Sequence, residues 1–343
     1  MKPSALQTAS MSEYLARWLD HMRGRVRAKT WDGYEGSIRL YALPALGEVS
    51  LEDLTPLHLQ DLYAELLGRG LSGGTVLNLH LVLTQALGQA MRWGIVDRNP
   101  ASGAQPPRPR RAEPTTVDRA LAERLLAETL GTRFELPVAI ALATGMRRGE
   151  ILALRWSDLD AARTTAHVSR TLQTAGGELH FERPKTARSR RTVQLPSMLG
   201  PYLDRRAASQ AERRSYVGDP FETGLIVDDG AGGAVNPDTL SAAWSRFCRR
   251  RGLPRVRFHD LRHAHATLML LQGVHPKIVS ERLGHASVGI TLDTYSHVLP
   301  SMQREAVAAF EELFPNTDSQ QALKKTVNVD LEHARLEPNV PSW

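Results

Sequence analysis

The chain has 343 residues, enough for two domains, and 42% of them are apolar, as a protein that buries a real core requires. Its single cysteine, Cys248, excludes an internal disulfide and points to a reducing compartment. A formal charge of +6 favours a polyanionic partner, and the opening "MKPSALQTASMSEYLARW" lacks the apolar run of a secretory signal.

Residues 11–100 read as helical and nearly neutral, with 9 Lys and Arg against 10 Asp and Glu. In "MSEYLARWLDHM", Leu15, Trp18, Leu19 and Met22 fall at helical spacing. Thr55-Pro56 is a helix start, an N-cap followed by Pro in the first turn, and "LHLQDLYAELLGRG" runs from it to glycines. "SGGTVLNLHLVLTQALGQAMRWG" is a longer apolar helix ending before Gly94. The Pro- and Arg-rich "RNPASGAQPPRPRRAEPTT" has no apolar period and reads as an extended linker. Residues 101–315 carry 30 basic against 23 acidic residues, so the positive balance lies here. "TVDRALAERLLAETL" and "ELPVAIALATG" are helices, the second too short to cross a bilayer. A soluble, cytoplasmic protein with no membrane partner is expected. "TTAHVSRTLQ", "ELHFERPK" and "RRTVQLP" alternate as strands and predict a three-stranded antiparallel meander, with a turn at Gly176-Gly177. Helices return from Met198 to Phe314, and a polar, weakly patterned tail follows. The fold class is therefore mainly α with a small antiparallel β-sheet, preceded by an all-α bundle. Its parts are an N-terminal segment 1–10, a helical domain 11–100, a linker 101–116, a second domain 117–315 and a tail 316–343.

Several side chains carry chemistry. In "ATGMRRGEILALRW", Arg147 lies near a helix N-terminus, where an anion is favoured, and Glu150 can orient a guanidinium; an ordinary helix start would look similar. Residues 183–191 hold five basic side chains and no acid at a strand turn, fit for a phosphate contact or for plain solvation. In "RFHDLRHAHATLMLLQG", Leu261, Ala264, Leu268 and Leu271 form the buried stripe, while His259 and Arg262 share another face and suit a phosphate's oxygens. Metal binding has little support: His263 and His265 point different ways on one helix, and no HExxH occurs. In "HPKIVSERLGHASVGITLDTYSHV", Pro276 opens a helix, Gly284 closes it and His285 sits at the break. Ser287 can cap the next short helix, which carries Tyr295; a capping His and a core Tyr would fit as well.

Taken in order, "TGMRRGE", "PKTARSRRTV", "FHDLRHAHATLML" and "ERLGHASVGITLDTYSHV" make the chain resemble the tyrosine recombinase (phage integrase) family over about 155 residues. The helical block more weakly resembles the family's core-binding domain. The resemblance implies that Tyr295 is a nucleophile toward a DNA phosphodiester and that Arg147 and Arg262 clamp the scissile phosphate. His259 and His285 are implied as further contacts, Lys185 as the acid that protonates the leaving 5′-oxygen, and Glu150 and Asp260 as residues that order the site. No metal or cofactor is implied. A free tyrosine has a pKa near 10, so it needs a base, and His259 is the expected one.

The implied partner is double-stranded DNA, bound by a homotetramer on two recombination sites, with accessory DNA-bending or directionality factors. The tail would dock on a neighbouring protomer. An arm-site-binding domain is absent or lies upstream of where this sequence starts. "TVLNLHLVL" has Leu77 and Asn78 where the family often has basic residues, so the basic "MRGRVRAKT" is the expected DNA face of the first domain. The expected function is site-specific recombination by a phage- or mobile-element-type integrase. The alternatives are Xer-like chromosome or plasmid dimer resolution, a topoisomerase with the same chemistry, and a DNA-binding regulator that does not recombine.

Overall fold

The computed structural model describes residues 9–109, 117–183, 190–218, 223–295 and 307–312 apart from 309. Among these, helices dominate, strands are short, and no helix is long and apolar enough to cross a membrane.

The first unit packs one core from Met11 to Ala104. Helix α1, Met11–Met22, starts at a reciprocal cap: Ser10 Oγ accepts from Glu13 N–H, and Glu13 Oε2 accepts from Ser10 N–H. It buries Met11, Tyr14, Leu15 and Trp18, one turn nearer its start than the expected stripe, with Leu19 and Met22 at the margin. Tyr14 satisfies its polar tip by donating to the Ala86 carbonyl at 2.5 Å. Helix α2, Ala28–Ser37, passes through a π-turn at Ile38–Ala42 into α3, Leu43–Leu46. Pro44 has no N–H to give the regular ladder, and the turn widens beside it so that Leu43 N–H reaches the Ile38 carbonyl. Helix α4, Pro56–Gly68, begins at Thr55 as expected, its hydroxyl accepting from His58 N–H. Helix α5, Gly73–Arg92, buries Val76, Leu79, Leu83, Ala86, Leu87 and Ala90 along one face. Beyond it, Asn99 caps a short 3₁₀ turn, Pro100–Gly103, whose Pro100 and Ala101 are buried. Residues 110–116 lie outside the described residues.

The second unit centres on α7, Glu135–Thr144, in which every residue from Leu136 to Thr144 is buried. It follows α6, Arg119–Thr129, and leads through Gly145 into α8, Arg148–Ala153. The expected meander takes a different pairing. Strand β1, Thr165–Val168, pairs with β4, Arg191–Gln194, and β2, Thr171–Ala175, pairs with β3, Glu178–Glu182, giving two antiparallel two-stranded ladders. The break at Ser169-Arg170 splits the first predicted strand, and each half takes its own partner. Helices α9, Gly200–Val217, α10, Pro237–Arg250, α11, Asp260–Leu271, α12, Pro276–Leu283, and α13, Val288–Tyr295, complete the described unit. Helix α11 packs on α7 with one face and on α12 with another. Its buried set is therefore wider than one stripe: Leu261, Ala264, His265, Ala266 and Leu270 are inside, while Leu271 is exposed.

The two units touch where α2 meets the β2–β3 hairpin. Asp32 Oδ2 accepts from Gly176 N–H at 2.6 Å, and Arg27 pairs with Glu182 at 3.4 Å. Arg27, one of the four basic residues of "MRGRVRAKT", is thus engaged by the second unit, and Arg23 stacks over Trp31.

Helix α8 presses on β2 at a glycine. A Cβ on Gly149 would stand 2.5 Å from both the Leu172 carbonyl oxygen and Thr171 Oγ1. Gly149→Ala is therefore expected to destabilise the protein by about 1–3 kcal/mol, the usual range for overpacking. Gly33→Ala, in the interior of α2 with open space around it, is expected to stabilise by about 0.5–1 kcal/mol. Urea unfolding of the two variants checks the contrast.

Candidate active site

Two turns of backbone set the site. Gly145 closes α7 at φ +66°, a conformation that favours glycine, and a Cβ there would also strike His265 and Leu283 at 2.6 Å. Gly284 closes α12 in the left-handed region at φ +68°. The carbonyls exposed at these ends accept two arginines. Arg262, from α11, donates to the Gly145 carbonyl at 2.7 Å and to the Leu283 carbonyl at 2.8 Å. Arg147, the N-cap residue of α8, donates to the Gly284 carbonyl at 3.2 Å. Guanidiniums 115 positions apart in sequence are thus held on neighbouring carbonyls at one helix end. Each has five N–H groups, more than these bonds use, although Arg262 is only 3% exposed.

Glu150 lies between the basic side chains with 3% exposure. Its Oε1 accepts from Arg147 at 2.8 Å, and its Oε2 accepts from Arg147 backbone N–H and from Arg191, each at 2.9 Å. Burial pushes its carboxyl up, but the Arg191 hydrogen bond and the charges of Arg191 and Arg147 outweigh that and hold it below the usual range. Arg191 also donates from Nε to the Arg282 carbonyl. Arg282 in turn donates to His265 Nε2 at 3.1 Å and to the Ala143 carbonyl, while His265 Nδ1 donates to the Leu142 carbonyl. A chain of hydrogen bonds therefore runs from the end of α7 to the Arg147 guanidinium.

The histidines divide by task. His285 follows Gly284, and its Nδ1 is 2.8 Å from Thr291 Oγ1, which fixes the ring. Burial and the charges of Arg262 and Arg147 push it down to about 4. His259 stands at the solvent edge at the start of α11, and its ring has no hydrogen-bond partner among the described residues. The protein around it and the charges of His263 and Arg262 also push its pKa down, so it is neutral at physiological pH. Asp260 accepts from Arg257 backbone N–H at 2.8 Å and pairs with its guanidinium, pinning the start of α11. Arg262, buried next to Arg147, has its pKa pressed down by desolvation and like charge but stays a cation at neutral pH.

Tyr295, the last residue of α13, is 2% exposed. Its hydroxyl lies 2.9 Å from His263 Nδ1. Burial raises its pKa to about 12, against the opposing charge of Arg262. Among the described residues, no three His, Cys, Asp or Glu side chains converge as metal ligands.

The structure thus gathers Arg147, His259, Arg262, His285 and Tyr295 around the junction of α7, α8, α11 and α12. Lys185 lies outside the described residues. Two participants were not singled out by sequence. Arg191 reads there as one of five charges in a basic run, yet strand alternation puts it on the same face as buried Val193. His263 enters the sequence reading only beside His265 as a disfavoured metal ligand, and only the return of α13 brings Tyr295 to it.

The family described as "Phage integrase family" matches residues 116–302, and "Phage integrase, N-terminal SAM-like domain" matches residues 10–67. The chain is 29% identical over 329 residues to the "Tyrosine recombinase XerC-like" protein of Caldanaerobacter subterraneus subsp. tengcongensis, covering 90% of this chain and 84% of that one. It is 28% identical over 272 residues to the ICEBs1 integrase of Bacillus subtilis, covering 77% and 72%. Among solved structures, the Tn1549 transposon integrase in complex with a circular intermediate DNA superposes with a TM-score of 0.72 at 20% identity, covering 86% of this chain and 99% of that one. A lambda integrase tetramer bound to a Holliday junction gives 0.63 at 17% identity, covering 83% and 77%.

Two outcomes follow from the buried charges. Arg191→Met leaves Glu150 with one ion-pair partner in a buried site and is expected to lower the unfolding free energy by about 3 kcal/mol in urea titrations, at the low end for a broken buried pair. His265 has its pKa pushed down to about 4 by burial, whereas in the unfolded chain it takes a proton near 6.5. The unfolded state therefore gains the proton first, and stability falls as pH drops from about 6.5 to about 4. His265→Gln is expected to make that fall shallower when urea midpoints are measured across the window.

Proposed function

Since the chain belongs to the phage integrase family of tyrosine recombinases, enzymes that cleave and rejoin DNA, we propose that Tyr295 is its nucleophile and that Arg147, Arg262, His259 and His285 bind the scissile phosphate. One observation carries this assignment: Arg147 and Arg262 are fixed on the Gly284 and Leu283 carbonyls, directly before His285. Two cations and two imidazoles around one point suit a phosphodiester that gains negative charge as it is attacked.

The phenolate oxygen of Tyr295 forms a bond to phosphorus as the bond to the 5′-oxygen breaks. Lys185 gives its proton to that oxygen, and the 3′-phosphate stays on the tyrosine as an ester. The ester conserves the bond, so a 5′-hydroxyl from another strand can attack it, release Tyr295 and reseal the DNA. The chemistry asks the protein for positioning, charge and two proton transfers, all of which its own side chains can provide.

The helical domain, whose core carries past the expected boundary at 100 to Ala104, and the catalytic domain, 117–315, would close around a duplex. The α2–hairpin contact supports closure on one side. Relatives named as integrases, among them the ICEBs1 and Tn1549 proteins, favour integration or mobility of a genetic element. The XerC-like relative keeps dimer resolution as the second reading. In either role the enzyme acts on cytoplasmic DNA as a homotetramer on two sites, with accessory DNA-bending or directionality factors supplied by the element or its host.

On a nicked suicide substrate carrying its own crossover site, the wild-type protein is expected to form a covalent protein–DNA adduct, and Tyr295→Phe none. Adduct formation by the Phe variant would reject the nucleophile assignment. Arg147→Ala and Arg262→Ala are expected to slow single-turnover cleavage by roughly 10²- to 10³-fold while retaining DNA binding in gel-shift assays.

A further inference from the structure

The sequence points to His259 as the base for Tyr295, but the hydrogen bond to the Tyr295 hydroxyl belongs to His263. The Nδ1–hydroxyl distance is 2.9 Å, and the rings stand 5.8 Å apart. His263 is held for this contact from both sides. It follows Arg262, which is anchored on two carbonyls, and it lies one helical turn after His259, whose ring meets it edge-on at 4.9 Å. Tyr295 is fixed in turn by burial at the end of α13. The phenol is protonated at neutral pH and can donate, and a neutral imidazole with its proton on Nε2 presents a lone pair at Nδ1 to accept.

Resting on the reading of Tyr295 as nucleophile, we propose that His263 is its catalytic base. As the Tyr295 oxygen bonds to phosphorus, its O–H bond breaks and the proton passes to His263 Nδ1. The 5′-oxygen leaves with a proton from Lys185. On rejoining, the attacking 5′-hydroxyl returns its proton to Lys185, and the released Tyr295 oxygen recovers its own from His263, so both groups end as they began.

The surroundings fit a ring that is neutral at rest and charged in passing. Burial lowers the His263 pKa, as do the charges of Arg262 and Arg257, while Asp260 on the same helix opposes them and favours the imidazolium once it forms. Arg262 also lowers the pKa of Tyr295, so the phenolate gains a counter-charge at the moment of transfer. With Tyr295 at about 12, roughly one molecule in 10⁵ would hold a free phenolate at pH 7, and a positioned base removes that limit.

His263→Asn in the full chain keeps a polar group where Nδ1 stands but cannot take up the proton. Single-turnover cleavage of the suicide substrate is followed from about pH 6 to about pH 10, with gel-shift affinity as the control for folding. The expected result is wild-type-like DNA binding, cleavage slowed roughly 10²- to 10⁴-fold at pH 7, and a rate that climbs about tenfold per pH unit as hydroxide replaces the base. His259→Asn is expected to keep the wild-type pH profile at whatever rate it retains. A substrate with sulfur in place of the bridging 5′-oxygen, which leaves without a proton, should not restore His263→Asn. Wild-type rate or an unshifted profile in His263→Asn, rescue of it by the sulfur substrate, or transfer of the pH effect to His259→Asn would overturn the proposal. Absence of any wild-type adduct, or an adduct with Tyr295→Phe, would instead refute the nucleophile reading itself.

Discussion

The site depends on one buried carboxylate. Arg147 and Arg262 are like charges at one junction, and Arg147, though 37% exposed and partly screened by water, helps to press the Arg262 pKa down. Glu150 offsets that repulsion, and Arg191 completes its ionic coordination on the opposite side. Remove the carboxylate and the two like charges lose the anion that offsets them; remove Arg191 and a buried anion is left half-paired. The four residues come from a loop, a short helix, a strand and a long helix. The Glu150 ion pairs tie the start of α8 to β4, and the carbonyl bonds of Arg262 tie in α11.

Helix ends do the rest of the positioning. The Gly145 and Leu283 carbonyls accept Arg262, the Gly284 carbonyl accepts Arg147, and the Arg282 carbonyl accepts Arg191. Carbonyls at helix C-termini carry partial negative charge and lack intrahelical partners, so each satisfies its own need while aiming a cation. Glycine at 145 and 284 lets the chain turn away immediately afterwards. The protein's own carbonyls therefore hold both guanidiniums, and Tyr295 is buried against His263.

Much of this could be read from the chain, because local signals and tertiary demands agree there. Thr55-Pro56, the Gly145 turn and Gly284 after "VSERL" all mark boundaries that the structure keeps, and the ordered motifs bring Arg147, Arg262, His285 and Tyr295 to one junction. The failures have a common physical origin in contacts between distant segments. The split at Ser169-Arg170 changes which strands pair, a choice that alternation alone does not encode. Packing α11 on two neighbours buries His265 and Leu270 and leaves Leu271 out, which a single stripe cannot anticipate. Arg191 looks like one charge in a solvated turn until Glu150, 41 positions earlier, comes to meet it. His263 becomes interesting only when α13 folds back across α11.

A crystal structure of the Tyr295→Phe protein on DNA containing its crossover site tests the central claim most directly. The account predicts a backbone phosphate within hydrogen-bond distance of both Arg147 and Arg262, with His259 and His285 beside it and Glu150 still bridging Arg147 and Arg191. A phosphate seated elsewhere, with the two arginines directed away from the DNA or Glu150 released from Arg191, would contradict it.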